Sequence, residues 1–185
     1  MNAKFLLVVM TMAAALLVGA TTESSLAQPI PPYTVLDEAS ATTNNGGVLF
    51  ASIEALDTIP RFPDQFIESV LVFGYAWVDS DTLEGIVAAI HPEFRDSNQN
   101  PDAWHTHPVQ LSSGDGTSSD FCIEELGTSQ GGIRLNGNVM DVRMPNTFTD
   151  GITPNAAASF IVAEDPDCQT TELGVTVLNG PVETD

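Results

Sequence analysis

The chain has 185 residues, carries 25 acidic against 5 basic side chains, and has a formal net charge of −20. Such a field repels nucleic acid and anionic lipid and draws in cations, which excludes polyanion-binding functions from the outset. Solubility is the plainest use of that charge, and a saline habitat suits it too, because screening over about 3 Å at 1 M ionic strength removes the self-repulsion.

Residues 1–27 read as an export signal: Lys4 gives the positive start, Phe5 to Ala20 form the apolar run, and Ser25-Leu26-Ala27 supplies small residues where signal peptidase needs them. Cleavage is expected before Gln28. The apolar run is roughly 16 residues, short of the about 20 needed to cross a bilayer, so an uncleaved anchor is the alternative. No later segment is apolar enough to span a membrane. The exported part, residues 28–185, is 158 residues long, the size of one domain with its own core, and keeps Arg61, Arg95, Arg134 and Arg143 as its only basic side chains. The expected destination is secreted, extracellular or periplasmic.

This part opens on a proline-rich lead-in from Gln28 to Pro32, and Asn44-Asn45-Gly46-Gly47 marks a turn before a strand from Val48 to Ser52. Pro60 and Pro63 make the next stretch a loop or strand edge. Ser69 to Val78 is the strongest strand signal, rich in β-branched and aromatic residues and closed by Asp79-Ser80-Asp81. Gly85 to His91 is apolar on both alternating faces, as in a strand buried on two sides. Trp104 to Leu111, Phe121 to Leu126, Gly132 to Asn136, Val139 to Met144, Ala157 to Ala163 and Leu173 to Leu178 come next at short spacing. Asn136-Gly137 is read as the centre of a type I′ hairpin turn, which demands positive φ at both central residues. Nine or ten short strands with no amphipathic helix predict an all-β fold, an antiparallel β-sandwich or partly open barrel.

Cys122 and Cys168 are the only cysteines. In an oxidising compartment they should pair, and the closed loop should contribute roughly 3 to 4 kcal/mol by restricting the unfolded chain. Neither is followed by a second cysteine or a histidine at metal-ligand spacing, which disfavours a thiolate site.

All three histidines fall within 17 residues, at His91, His105 and His107. On a strand, His-x-His projects both imidazoles from one face with Cα atoms about 6.6 Å apart, close enough to share an ion. If the strands ending at His91 and starting at Trp104 are neighbours, His91 supplies a third nitrogen. Three histidines completed by water or by a carboxylate such as Glu93, Asp115 or Asp120 would suit Zn²⁺ or Cu²⁺. The competing reading is that His105 and His107, in phase with Val109 and Leu111, point into the core and bond only to backbone carbonyls, with Pro108 keeping that strand from a central position. Copper-zinc superoxide dismutase also has His-x-His on a β-barrel strand before a disulfide cysteine, but its two metals need more histidines than this chain has. A blue-copper centre fails too, for lack of a cysteine closely followed by histidine and methionine.

Asp96, Asn98, Asn100 and Asp102 place oxygen-bearing side chains at every second position, as calcium loops do, with Asp79, Asp81 and Glu84 as a second such group. Pro101 and His107 stand where an EF-hand needs glycine and glutamate, so any calcium loop here is of another type, and solvated polar turns are the plainer reading. A Gly-x-Ser-x-Gly elbow, His-Glu-x-x-His and a glycine-rich phosphate loop are all missing from the sequence. The resulting expectation is an exported acidic binding module with a copper or zinc site at His91, His105 and His107. A structural or adhesive cell-envelope component is the first alternative, and an extracellular metal-dependent enzyme the second.

Overall fold

The computed structural model describes residues 30–62, 72–91, 103–128, 131–145 and 151–184. Residues 1–27, expected as an export signal, and the segment 92–102, which holds Glu93 and the expected calcium-loop residues Asp96, Asn98, Asn100 and Asp102, lie outside the described residues. Among the described residues a 3-10 turn at Pro32–Thr34 leads into ten strands: β1 (Leu36–Thr43), β2 (Leu49–Ala55), β3 (Val72–Val78), β4 (Glu84–Ile90), β5 (His105–Ser113), β6 (Phe121–Leu126), β7 (Gly132–Asn136), β8 (Val139–Met144), β9 (Ala156–Glu164) and β10 (Leu173–Glu183). All pairings are antiparallel. Four strands form an open sheet in the order β1-β2-β8-β7, and six close into a barrel in the order β10-β6-β5-β4-β3-β9.

Alternation along the barrel strands sorts side chains into two cores, because successive residues of a strand point to opposite faces. Phe73, Tyr75 and Trp77 of β3 and Ile86, Ala88 and Ile90 of β4 pack outward against Leu49, Ala51, Ile53, Met140 and Val142 of the open sheet. Their neighbours Ala76, Val87 and Ala89 point the other way and meet Val109, Ile123, Phe160, Val162 and Val175 in the barrel lumen. Gly74 belongs to the inward set, where a Cβ would stand 2.8 Å from the Phe160 ring and 2.6 Å from the Ala88 carbonyl oxygen. Glycine there lets Phe160 fill part of the lumen. The apolar run of β4 thus serves two cores at once, the reason it shows no polar face.

The disulfide joins Cys122 to Cys168, with Cα atoms 5.3 Å apart. It fastens the β9–β10 turn to β6. Asp165 is buried in that turn and accepts hydrogen bonds from the hydroxyls of Ser119 at 2.6 Å and Ser118 at 3.0 Å. These bonds hold its carboxyl below the usual carboxylate range, Ser119 contributing most.

Several local expectations change. β1 carries no clear strand signal: Asp37 and Glu38 interrupt it, and it is an edge strand whose pairing slips between Leu36 and Glu38. The final strand continues to Glu183 instead of stopping at Leu178, crossing Asn179-Gly180-Pro181 by register shifts that locally read as a break. At the β7–β8 hairpin Asn136 pairs with Val139, so Gly137 and Asn138 are the central residues. Only Gly137 has positive φ, 66°, as a type II′ turn requires at its first central position. Pro108 does not push β5 to an edge, since β5 lies between β4 and β6.

Candidate metal centre

His91 directly follows β4, and His105 and His107 open β5. The β4–β5 register sets Ala89 opposite His105 and Val87 opposite His107, and paired residues project to the same face. Val87 and Ala89 face the lumen. His91, two residues beyond Ala89, continues that phase, so all three imidazoles meet inside one end of the barrel. They are 4%, 4% and 3% exposed. Ring centroids lie 4.4 Å apart for His91 and His105, 4.9 Å for His105 and His107, and 6.0 Å for His91 and His107.

The outward-facing residues between and beside these histidines fix the strand that bears them. Trp104 stacks on Tyr75 at 5.6 Å and donates its indole N–H to the Pro60 carbonyl at 3.0 Å. Tyr75 in turn donates its hydroxyl to the Tyr33 carbonyl at 2.6 Å, and burial pushes its phenol pKa far up, keeping it neutral. Thr106 is buried on the other side of β5, where its hydroxyl oxygen accepts the Gly131 N–H at 2.9 Å.

Each β5 histidine is oriented by a main-chain carbonyl. His105 Nδ1 lies 2.7 Å from the Ala103 oxygen and His107 Nδ1 lies 2.8 Å from the Gly127 oxygen. A carbonyl can only accept, so both Nδ1 atoms carry the proton and Nε2 is the nitrogen that can ligate; backbone carbonyls commonly fix metal-bound imidazoles in this way. Pro108 explains why the second carbonyl is used so. The Gly127 N–H donates to the Pro108 carbonyl at 2.9 Å, but proline has no N–H to return, and His107 occupies the Gly127 oxygen in its place. Gly127 must be glycine for this closeness: a Cβ would stand 2.4 Å from Pro108 Cγ.

His105 Nε2 is 2.6 Å from His91 Nε2. With the His105 proton on Nδ1, His91 donates across that contact, a proton held between two nitrogen lone pairs. One ligand atom from each of the three histidines lies within 4.8 Å of the others. Tetrahedral bonds of 2.0 to 2.1 Å separate ligand nitrogens by about 3.3 to 3.4 Å. For tetrahedral bonding the closest pair would open by about 0.7 Å and the farthest would draw in by about 1.4 Å. The group can therefore hold an ion where a proton now sits. Two strand registers make the site and two carbonyls aim it.

Among the described residues no other set of three histidine, cysteine, aspartate or glutamate side chains converges, and no carboxylate joins the histidines. Asp120 stands beside the far end of β5, where its backbone carbonyl accepts the Gly114 N–H and Oδ2 accepts the Val177 N–H at 2.8 Å. Seven residues of strand at about 3.3 Å each separate that end from His107, so Asp120 is not brought to the cluster. Asp115 lies in the same exposed turn. Asp79 caps its own turn instead, Oδ1 accepting the N–H groups of Asp81 at 2.9 Å and Thr82 at 3.2 Å. The carbonyls of Ala103 and Gly127 had no signal in the sequence beyond the proline after His107. No helix among the described residues is long and apolar enough to cross a membrane. Set against protein-family models, curated proteins and solved structures, the chain matches none.

Proposed function

We propose that the protein is an exported, acidic binding module that takes up one Cu²⁺ or Zn²⁺ ion through His91, His105 and His107. The observation that carries this reading is the convergence of three buried imidazoles within 4.8 Å, two of them fixed by backbone carbonyls in the tautomer that turns Nε2 into the ligand. Three imidazole nitrogens suit copper and zinc better than calcium, which takes oxygen ligands. A net charge of −20 concentrates cations at the surface and keeps competing anions away. The disulfide fits an oxidising compartment, in line with export directed by residues 1–27.

Titration calorimetry and native mass spectrometry of the metal-free protein test it. The expected result is one ion per chain, with binding lost in the double substitution His105→Ala, His107→Ala. Affinity should also fall as the pH is lowered, since each ring must shed its proton to ligate. Absence of stoichiometric binding, or binding that survives the double substitution, would overturn the reading and leave a structural envelope role.

A further inference from the structure

Behind the histidines the barrel is not filled. A cavity of about 60 Å³ occupies the lumen, lined by apolar side chains such as Val72, Ala76, Val87, Ala89 and Val109, with His91 and His107 as the polar side chains among the described residues that line it. It persists because β3 and β4 present alanine at positions 76 and 89, where larger residues would close it. Leu126 lines it and is 42% exposed, which marks where the lumen meets solvent.

From this juxtaposition we infer that the lumen is a binding compartment for a small uncharged molecule, which reaches the open coordination position of the ion held by His91, His105 and His107. The inference rests on the metal reading and specifies the ligand class of the same site. Three protein ligands leave a tetrahedral ion one position to fill. His91 and His107 form part of the cavity wall, so that position faces apolar space. Size limits the guest to a few heavy atoms, since one water needs about 10 to 15 Å³ of such volume. Anions are disfavoured twice. A surface of −20 repels them on approach, and inside the lumen an anion would lose its hydration against alanine and valine. Apolar cavities of this kind stay dry and take apolar guests.

The test uses copper-loaded full-length mature protein and two probes. Under anaerobic conditions the Cu⁺ form should bind one carbon monoxide per copper, read by its infrared stretch, whereas azide should leave the Cu²⁺ spectrum unchanged. Ala76→Val adds two methyl groups to the lumen and leaves all three histidines in place, and should weaken carbon monoxide binding at least tenfold at unchanged copper stoichiometry. Carbon monoxide affinity that is indifferent to Ala76→Val, or azide binding as readily as carbon monoxide, would overturn the inference. Xenon examined by NMR on the metal-free protein reads the lumen separately: it should shift the methyl resonances of Val87 and Val109, and Val87→Ala, which enlarges the space, should tighten its binding. Xenon excluded from a protein that binds copper sinks the lumen inference alone. Copper that does not bind sinks the metal reading and with it the delivery of any ligand to a metal, whatever xenon does.

Discussion

Gly127→Ala tests whether the backbone carbonyl behind His107 governs the proposed metal site. The new Cβ would stand 2.4 Å from Pro108 Cγ, 3.1 Å from Cδ and 3.5 Å from the Pro108 oxygen. Carbon atoms rest at about 3.5 to 4.0 Å, so the proline ring and the end of β6 must part by at least about 1.1 Å. The Gly127 oxygen sits 2.8 Å from His107 Nδ1, and a shift of that size along the contact takes it to about 3.9 Å, beyond hydrogen-bond reach. Losing the group that orients a ligating imidazole lowers metal affinity about 10- to 100-fold, which is about 1.4 to 2.7 kcal/mol at 1.36 kcal/mol per decade. Overpacking should also lower the stability of the metal-free fold by about 1 to 3 kcal/mol. Competition titration of Zn²⁺ against a chelator of known affinity measures the first effect, and urea unfolding of the apo protein the second. A lowered urea midpoint with zinc affinity within twofold of the parent would refute the argument, because the strain would be present and the carbonyl would have no part in holding the ion.

Three further outcomes are expected of the same structure. Replacing Cys122 and Cys168 by serine opens a loop of sequence separation 46 and should cost about 4 kcal/mol on the chain-entropy relation, read as a lower urea midpoint with a slope that rises as the unfolded chain loses its crosslink; an unchanged midpoint would show that the loop is held by its packing. Asp165 has its pKa depressed in the folded state, so its contribution is full above about pH 3.9, the unfolded reference, and is lost as pH falls through the lower folded value. Asp165→Asn should therefore lower stability at neutral pH and flatten the acid limb of a stability-against-pH curve, and an acid limb as steep as the parent's would count against it. Finally, a net charge of −20 should make the thermal midpoint rise from low salt to about 1 M, where the screening length is about 3 Å; a flat or falling midpoint would mean that the acidic groups are too dispersed to repel one another.

Much of the local structure can be read from residues a few positions apart. The bounds of β6, β7 and β8 coincide with the apolar alternation of Phe121 to Leu126, Gly132 to Asn136 and Val139 to Met144, because turn chemistry and two-residue periodicity act within each segment. The pairing of Cys122 with Cys168 follows from there being no other cysteine. His-x-His is equally local: residues 105 and 107 share a face of any strand. Which face that is was decided elsewhere. β3 pairs with β9, which comes after five other strands, and β6 pairs with β10, and these distant pairings turn a sheet into a closed barrel with an interior for the histidines to face. The carbonyl bonds of the competing reading are present at Nδ1 of His105 and His107, and they do not by themselves prevent Nε2 from ligating an ion. Asp120, one of the carboxylates expected to complete the site, lies at the other end of β5, because an extended strand carries residues apart by about 3.3 Å each. β1 was invisible for a related reason. An edge strand with Asp37 and Glu38 owes its pairing to β2 and the tie from Leu36 N–H to the Asn179 side chain, and not to any pattern of its own. The sequence by itself thus determined most of the strands but not β1, together with the cysteine pair and the shared face of His105 and His107. Tertiary structure alone decided the closure, the lumen and the meeting with His91, because strand partners are chosen by the packing of whole sheets and not by neighbouring residues.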